Sequence, residues 1–298
     1  MWSWISVGLA TGAPFLAKYF STTTTSMISK TPVYFFSHGG PTFMYRDQGE
    51  PGAYDAVQKL GDEIVNLKPK AIVVVSAHWQ ERTISVTSDA NNSLIYDFYG
   101  FPDFMYHEKF PTKGSPELAN HIVQMLKDKG LKAETVQKRG IDHGVWVPFR
   151  VAFGSETKLK DTPLIQVSLP YNESPAYSIE LGRALAKLRE ENIIIIGSGM
   201  TVHNLRDMHL AGLYGPPLPY AKSFDKALEL AVTTHTGKER ETAMEKLFER
   251  ADRIKAHPTA EHLLPIYVSA GAAYEDIGTL IYTRQISSLG WGIYKFTS

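Results

Sequence analysis

The run Ile193-Ile194-Ile195-Ile196 constrains this chain more than any other feature of it. Successive β-branched apolar side chains point to both sides of a strand, so such a strand must be covered on both faces. Val33 to Phe36, Ala71 to Val75 and Leu164 to Val167 repeat the pattern. Helical spacing fills the intervals: Ala53, Val57, Leu60, Ile64 and Leu67 step by four and three and line one helix face. Ser115-Pro116 and Ser174-Pro175 each read as an N-cap followed by proline at the first helical position, opening helices that run to about Lys129 and Glu190. Further helices are predicted near Ala221 to Thr234 and Glu239 to Lys255, with another opening around Ala260. The alternation predicts an α/β fold: a single domain with a central, mostly parallel or mixed sheet covered by helices on both faces.

Composition narrows the function classes. Basic and acidic residues number 31 each, so no bulk field draws in a phosphate backbone or an anionic bilayer. Nucleic-acid and membrane partners are disfavoured. The absence of cysteine excludes disulfides, thiolate zinc sites, iron-sulfur clusters and a Cys nucleophile, so any metal must be held by His, Asp or Glu. No apolar stretch approaches the ~18 residues of a membrane span. Residues 1–30 stand apart: they are Ser/Thr-rich, carry only Lys18 and Lys30 as basic residues, and no acidic residue precedes Asp47. They read either as a weak targeting segment or as an extension upstream of Met27. The expected folded domain is 31–298, in the cytoplasm or, if the leading segment is a presequence, in mitochondria. Monomer and homo-oligomer are both open.

Histidines carry most of the functional information. His38 comes two residues after Phe36, His78 three after Val75, and His203 seven after Ile196. Ligands in open α/β sheets bind beyond the carboxyl ends of strands, so these imidazoles are expected to converge in one crevice and to suit zinc or iron. Each is otherwise an ordinary hydrogen-bonded loop residue. His143, in Gly140-Ile141-Asp142-His143-Gly144, is either a loop residue bonded to backbone or an acid/base imidazole. Near the helix start around Ala260, Glu261 and His262 face about 100° apart, so one of them points inward. His107, His121, His209, His235 and His257 read as surface or packing residues.

Six blocks occur in order: Ser-His-Gly-Gly-Pro at 37–41, Ser-Ala-His-Trp at 76–79, Asp-Phe-Tyr-Gly-Phe-Pro at 97–102, Asp-His-Gly-Val-Trp at 142–146, Ser-Gly-Met-Thr-Val-His-Asn-Leu-Arg at 198–206, and His-Pro-Thr-Ala-Glu-His-Leu-Leu-Pro at 257–265. Together they resemble the class III extradiol ring-cleavage dioxygenases, in the 4,5-DOPA dioxygenase branch related to the LigB catalytic subunit. The resemblance runs from about residue 31 to the end. It implies one divalent metal on His38, His78, His203 and His262, with His143 as acid/base residue. It further implies cleavage of a DOPA-like catechol with O2, Fe(II) for activity, and Zn(II) as a metal the site also accepts. His262 stands where LigB relatives carry Glu, and Glu261 is the alternative inner ligand. Trp79 and Tyr99 are expected to wall a planar ring, while Phe98 and Phe101 pack. Asn204 either supports a ligand or caps a turn. Two other readings compete: a zinc hydrolase using three His and an open water position, and a non-catalytic metal-binding scaffold of the same fold.

Overall fold

A computed structural model describes residues 30–155, 158–159 and 161–298. The expectations for residues 1–29, targeting segment or upstream extension, lie outside the described residues. The main sheet contains β1 (Val33–Ser37), β2 (Ala71–Glu81), β3 (Ile84–Thr87), β4 (Ala133–Val136), β5 (Leu164–Pro170), β6 (Ile193–Gly199), β7 (Ile277–Tyr282) and β8 (Ile293–Thr297). Their order across the sheet is β7-β8-β1-β6-β2-β5-β3-β4. The central strands β1, β6, β2 and β5 are mutually parallel, whereas β8 runs antiparallel to β1 and β3 antiparallel to β5. The sheet is therefore mixed, with a parallel heart and antiparallel flanks.

The isoleucine run in β6 behaves as its sequence requires. Ile193 and Ile195 join Val73, Val75 and Phe35 in one apolar cluster, while Ile194 and Ile196 join Ile72, Val74 and Phe36 in the other. The longer helices are α1 (Pro51–Asn66), α2 (Pro116–Asp128), α3 (His143–Phe153), α4 (Pro175–Leu185), α5 (Pro219–Thr233), α6 (Gly237–Phe248) and α7 (Leu264–Ala272). Helices α1 and α3 pack on the Phe36 side; the others supply the Phe35 side. Ser115 and Ser174 cap as predicted, accepting the backbone N–H of Leu118 at 3.1 Å and of Tyr177 at 3.2 Å.

Several boundaries depart from periodicity. Helix α4 stops at Leu185 and tightens into a 3-10 segment over Ala186–Glu191. The helix predicted to Lys255 ends at Phe248, and only a short turn, Arg253–Ala256, follows the Arg250–Asp252 ion pair. The helix expected from Ala260 begins at Leu264, so Glu261 and His262 lie in a turn rather than on a helix. Pro265 accounts for that delay, since proline is tolerated in the first turn of a helix but would break one already begun at Ala260.

All four parallel strands deliver their carboxyl ends to the same edge of the sheet. The chain leaves β1 through Gly39, whose φ of +59° suits glycine. A Cβ there would also collide with the Trp291 ring. None of the described helices is long and apolar enough to cross a membrane.

Candidate metal centre

Three imidazoles meet at that edge. His38 directly follows β1, its backbone N–H donating to Gly199 O at 3.0 Å. His78 lies within β2, where the pairing with β5 loses register between Val75 and Gln80. Such bulges re-aim side chains beside active sites. His262 enters from the turn before α7. One nitrogen from each of His38, His78 and His262 lies within 4.8 Å of the other two, and the Nε2 atoms of His38 and His78 are 3.1 Å apart. Nitrogens bound tetrahedrally at zinc distances are separated by about 3.3 Å, so the spacing matches a shared cation.

Hydrogen bonding fixes the outer nitrogens of two of these rings. Ser198 donates its hydroxyl to Gly144 O, leaving its oxygen to accept from His38 Nδ1 at 3.1 Å. Glu261 Oε1 lies 2.9 Å from His262 Nδ1, and a carboxylate can only accept. Both rings thus carry their proton on Nδ1 and present a bare Nε2, the arrangement in which outer partners orient metal-binding histidines.

Electrostatics agrees with that chemistry. Burial, reinforced by the neighbouring imidazoles, holds His38 and His262 well below the usual histidine range. The same causes bring His78 down to about 4 and His203 to about 3. At neutral pH the cluster is a set of uncharged donors with converging lone pairs, which is what a divalent cation requires.

The remaining predicted residues divide. His203 does not join the three: its ring stacks on His262 at 3.5 Å and 12°, and its nearest polar grouping is with Glu261 and His262. It is held there by a short ladder, His203 opposite Leu289. His143 opens α3, buried beside His78 with ring centroids 4.0 Å apart, and groups with His78 and Asp97. Glu261 holds the back of His262, grouping with His203 and not with His38 or His78. Trp79 is buried under the Arg139 guanidinium, 4.0 Å above its ring. Tyr99 is 90% exposed. Asn204 has its side chain committed to backbone, accepting from Arg206 and Asp207 and donating to Lys255 O, so it caps a turn. His257 is a packing residue, fully buried, its Nε2 donating to Thr201 O at 3.0 Å and burial lowering it to about 4.

Sequence reasoning missed the supporting shell. Asp142 is buried and accepts from Ser76 Oγ at 2.7 Å, from Arg139 at 3.1 Å and from Gln166. Ser76 in turn accepts the backbone N–H of His78 at 3.2 Å. Gly144 is required by close approach: a Cβ would sit 2.5 Å from Ser76 Oγ and 2.8 Å from His78 Cδ2. Asp97 receives the backbone N–H of His143 at 2.9 Å. Only the motif spacing hinted at these residues, because their partners are far along the chain.

Comparison with known proteins fits the geometry. The family described as the catalytic LigB subunit of aromatic ring-opening dioxygenase matches residues 32–294. A 4,5-DOPA dioxygenase extradiol from Beta vulgaris is 37% identical over 274 residues, covering 89% of this chain and 96% of that protein. One from Escherichia coli is 33% identical, covering 82% and 86%. The crystal structure of an uncharacterised Escherichia coli K12 protein superposes with a TM-score of 0.71 at 28% identity, covering 89% of this chain and 99% of its own. With imidazoles gathered at the carboxyl edge of a mixed sheet and a match spanning nearly all the described residues, the chain belongs to the LigB family of ring-cleaving extradiol dioxygenases, and it is an oxidoreductase.

Proposed function

We propose that this enzyme opens the ring of a DOPA-like catechol with molecular oxygen, using one divalent metal held by His38, His78 and His262. The observation that carries the reading is the convergence of these three neutral imidazoles, ligand atoms within 4.8 Å, at the carboxyl edge of the parallel strands. The names of the relatives support the substrate class. Residues 31–298 form the catalytic domain in this reading. A ferrous ion on these residues would supply both Lewis acidity and redox chemistry, whereas zinc would supply Lewis acidity alone.

The chain's own groups manage the protons. His143 takes a phenolic proton from the catechol and returns it as the ring opens, a role suited to an imidazole with a carboxylate 3.0 Å from Nδ1. Asp97 stays ionised for this: burial opposes its charge, but the proximity of the His143 ring and the hydrogen bond from the His143 backbone N–H hold it below the usual carboxylate range. His203, flat against His262 and neutral, accepts a hydrogen bond from the second hydroxyl. Phe98 stands edge-on to His143 at 5.8 Å and Phe101 edge-on to Phe98 at 5.6 Å, apolar walls for a planar ring.

A three-imidazole donor set also matches zinc hydrolases, which makes hydrolysis the second reading. One experiment separates them. After anaerobic loading with ferrous iron, catechol and oxygen should yield a yellow ring-opened semialdehyde with stoichiometric oxygen uptake. Metal binding without oxygen uptake for any catechol tried, combined with ester hydrolysis by the zinc form, would favour the hydrolase.

A further inference from the structure

We propose that Asp97 is a positioning residue that ties the ligand His78 to the proton-carrying His143 by holding both rings in the Nδ1-protonated form; this rests on the ligand set proposed above. The argument starts with where the Asp97 carboxylate is placed. The strand-like segment before it is pinned to the start of α3: Ile95 N–H donates to Ile141 O at 2.9 Å, and Trp146 Nε1 donates to Ile95 O at 2.9 Å. The next turn of chain therefore lies across the amino end of α3.

That helix end needs an outside partner. Its own N-cap residue, Asp142, makes no side-chain cap because its carboxylate is committed to Ser76, Arg139 and Gln166. Asp97 Oδ1 fills the role from 46 residues away, accepting His143 N–H at 2.9 Å. An ionised carboxylate is favoured there by the helix dipole. The same oxygen stands 3.0 Å from His143 Nδ1, too misaligned to form a hydrogen bond, and Oδ2 stands 3.7 Å from His78 Nδ1, beyond hydrogen-bond reach, so the carboxylate acts on both rings through its charge. One carboxylate thus faces the Nδ1 of two different imidazoles.

A carboxylate only accepts, so a ring nitrogen facing it is favoured as N–H over lone pair. For His78 the consequence is a bare Nε2, the atom that lies 3.1 Å from His38 Nε2. His38 and His262 obtain the same tautomer from Ser198 and Glu261. Asp97 supplies it for the third ring. For His143 the consequence is that Nε2 is the nitrogen free to take a proton from substrate.

The test uses the full chain and two substitutions. In Asp97→Asn the amide oxygen still accepts His143 N–H, so the helix cap and the melting temperature are retained. The amide NH2 then takes the place of Oδ2 and presents donors to His78 Nδ1. Nitrogen-15 imidazole shifts of the metal-free chain read the tautomers directly. Wild type should show Nδ1–H at both rings; Asp97→Asn should move His78 to Nε2–H and leave His143 as it was; Asp97→Ala should lose the preference at both. Zinc titration of Asp97→Asn should show affinity weakened about 10–100-fold. Unchanged tautomers in Asp97→Asn would overturn the proposal, as would weakened zinc binding with His78 still protonated on Nδ1. A wild-type chain that binds no zinc would instead sink the ligand assignment, and the tautomer comparison would still decide the role of Asp97.

Discussion

The two ends of the parallel strands bury charge and polarity in opposite ways. At the amino end, Arg189 is 3% exposed and spends its donors on Thr31 O, Ala272 O and Asp276. Arg240, nearby and equally buried, is enclosed by the carbonyls of Asp276, Ala273 and Tyr274. At the carboxyl end, His38 and His262 are as deeply buried, yet their Nδ1 atoms alone are bonded to acceptors outside the cluster, and one nitrogen of each lies within 4.8 Å of the other and of His78. Burial alone therefore does not mark a site. The two scaffold arginines direct their donors at fixed acceptors, whereas the rings of the centre leave the nitrogen opposite each bonded Nδ1 without an acceptor of its own.

The largest effect expected from that contrast is at the carboxyl end. His78→Ala should abolish metal retention, seen by elemental analysis after dialysis. His143→Ala should keep the metal but lose about 10²–10⁴-fold in turnover, measured by oxygen uptake. Equal metal loss in both variants would break the division of roles. At the amino end, Arg189→Ala should cost about 3–5 kcal/mol in urea unfolding, since it strands Asp276 in the interior. The zinc affinity of the folded fraction should not change; a matching fall would show that the two ends are not independent.

The strands and their shared edge could be read from the chain, because β-branched runs and capped proline-led helices are local signals. The convergence of His38 and His78 followed from their positions after those runs. What escaped was anything fixed by tertiary partners. His257 has no local signal, yet Phe224 and Thr201 enclose it. His203 follows a strand just as His38 does, but the pairing with Leu289 turns its ring flat against His262. Asp97 lay in view within a motif, while its purpose depends on a helix end 46 residues away.

Acidity probes the same contrast more gently. Unfolded histidines take up protons below about 6.5, whereas His78 and His257 in the folded protein resist until about 4. The unfolded state then binds more protons, so the metal-free protein should lose stability as pH falls from about 6.5 towards 4. The slope should be about 1.4 kcal/mol per pH unit for each such group, measured by urea midpoints. A flat profile across that window would mean the imidazoles are hydrated. The smallest effect belongs to Asn204→Ala, expected to cost about 1 kcal/mol through the lost cap, with KM for catechol unchanged. A raised KM with unaltered stability would return Asn204 to the substrate.

The central claim is that His38, His78 and His262 share one cation. Anomalous diffraction from zinc-soaked crystals tests it most directly. The account predicts a single strong peak at bonding distance from the Nε2 atoms of those three rings, with His203 still stacked on His262. A peak held by His143 and Asp97 in their place, or none within reach of His38, would contradict it.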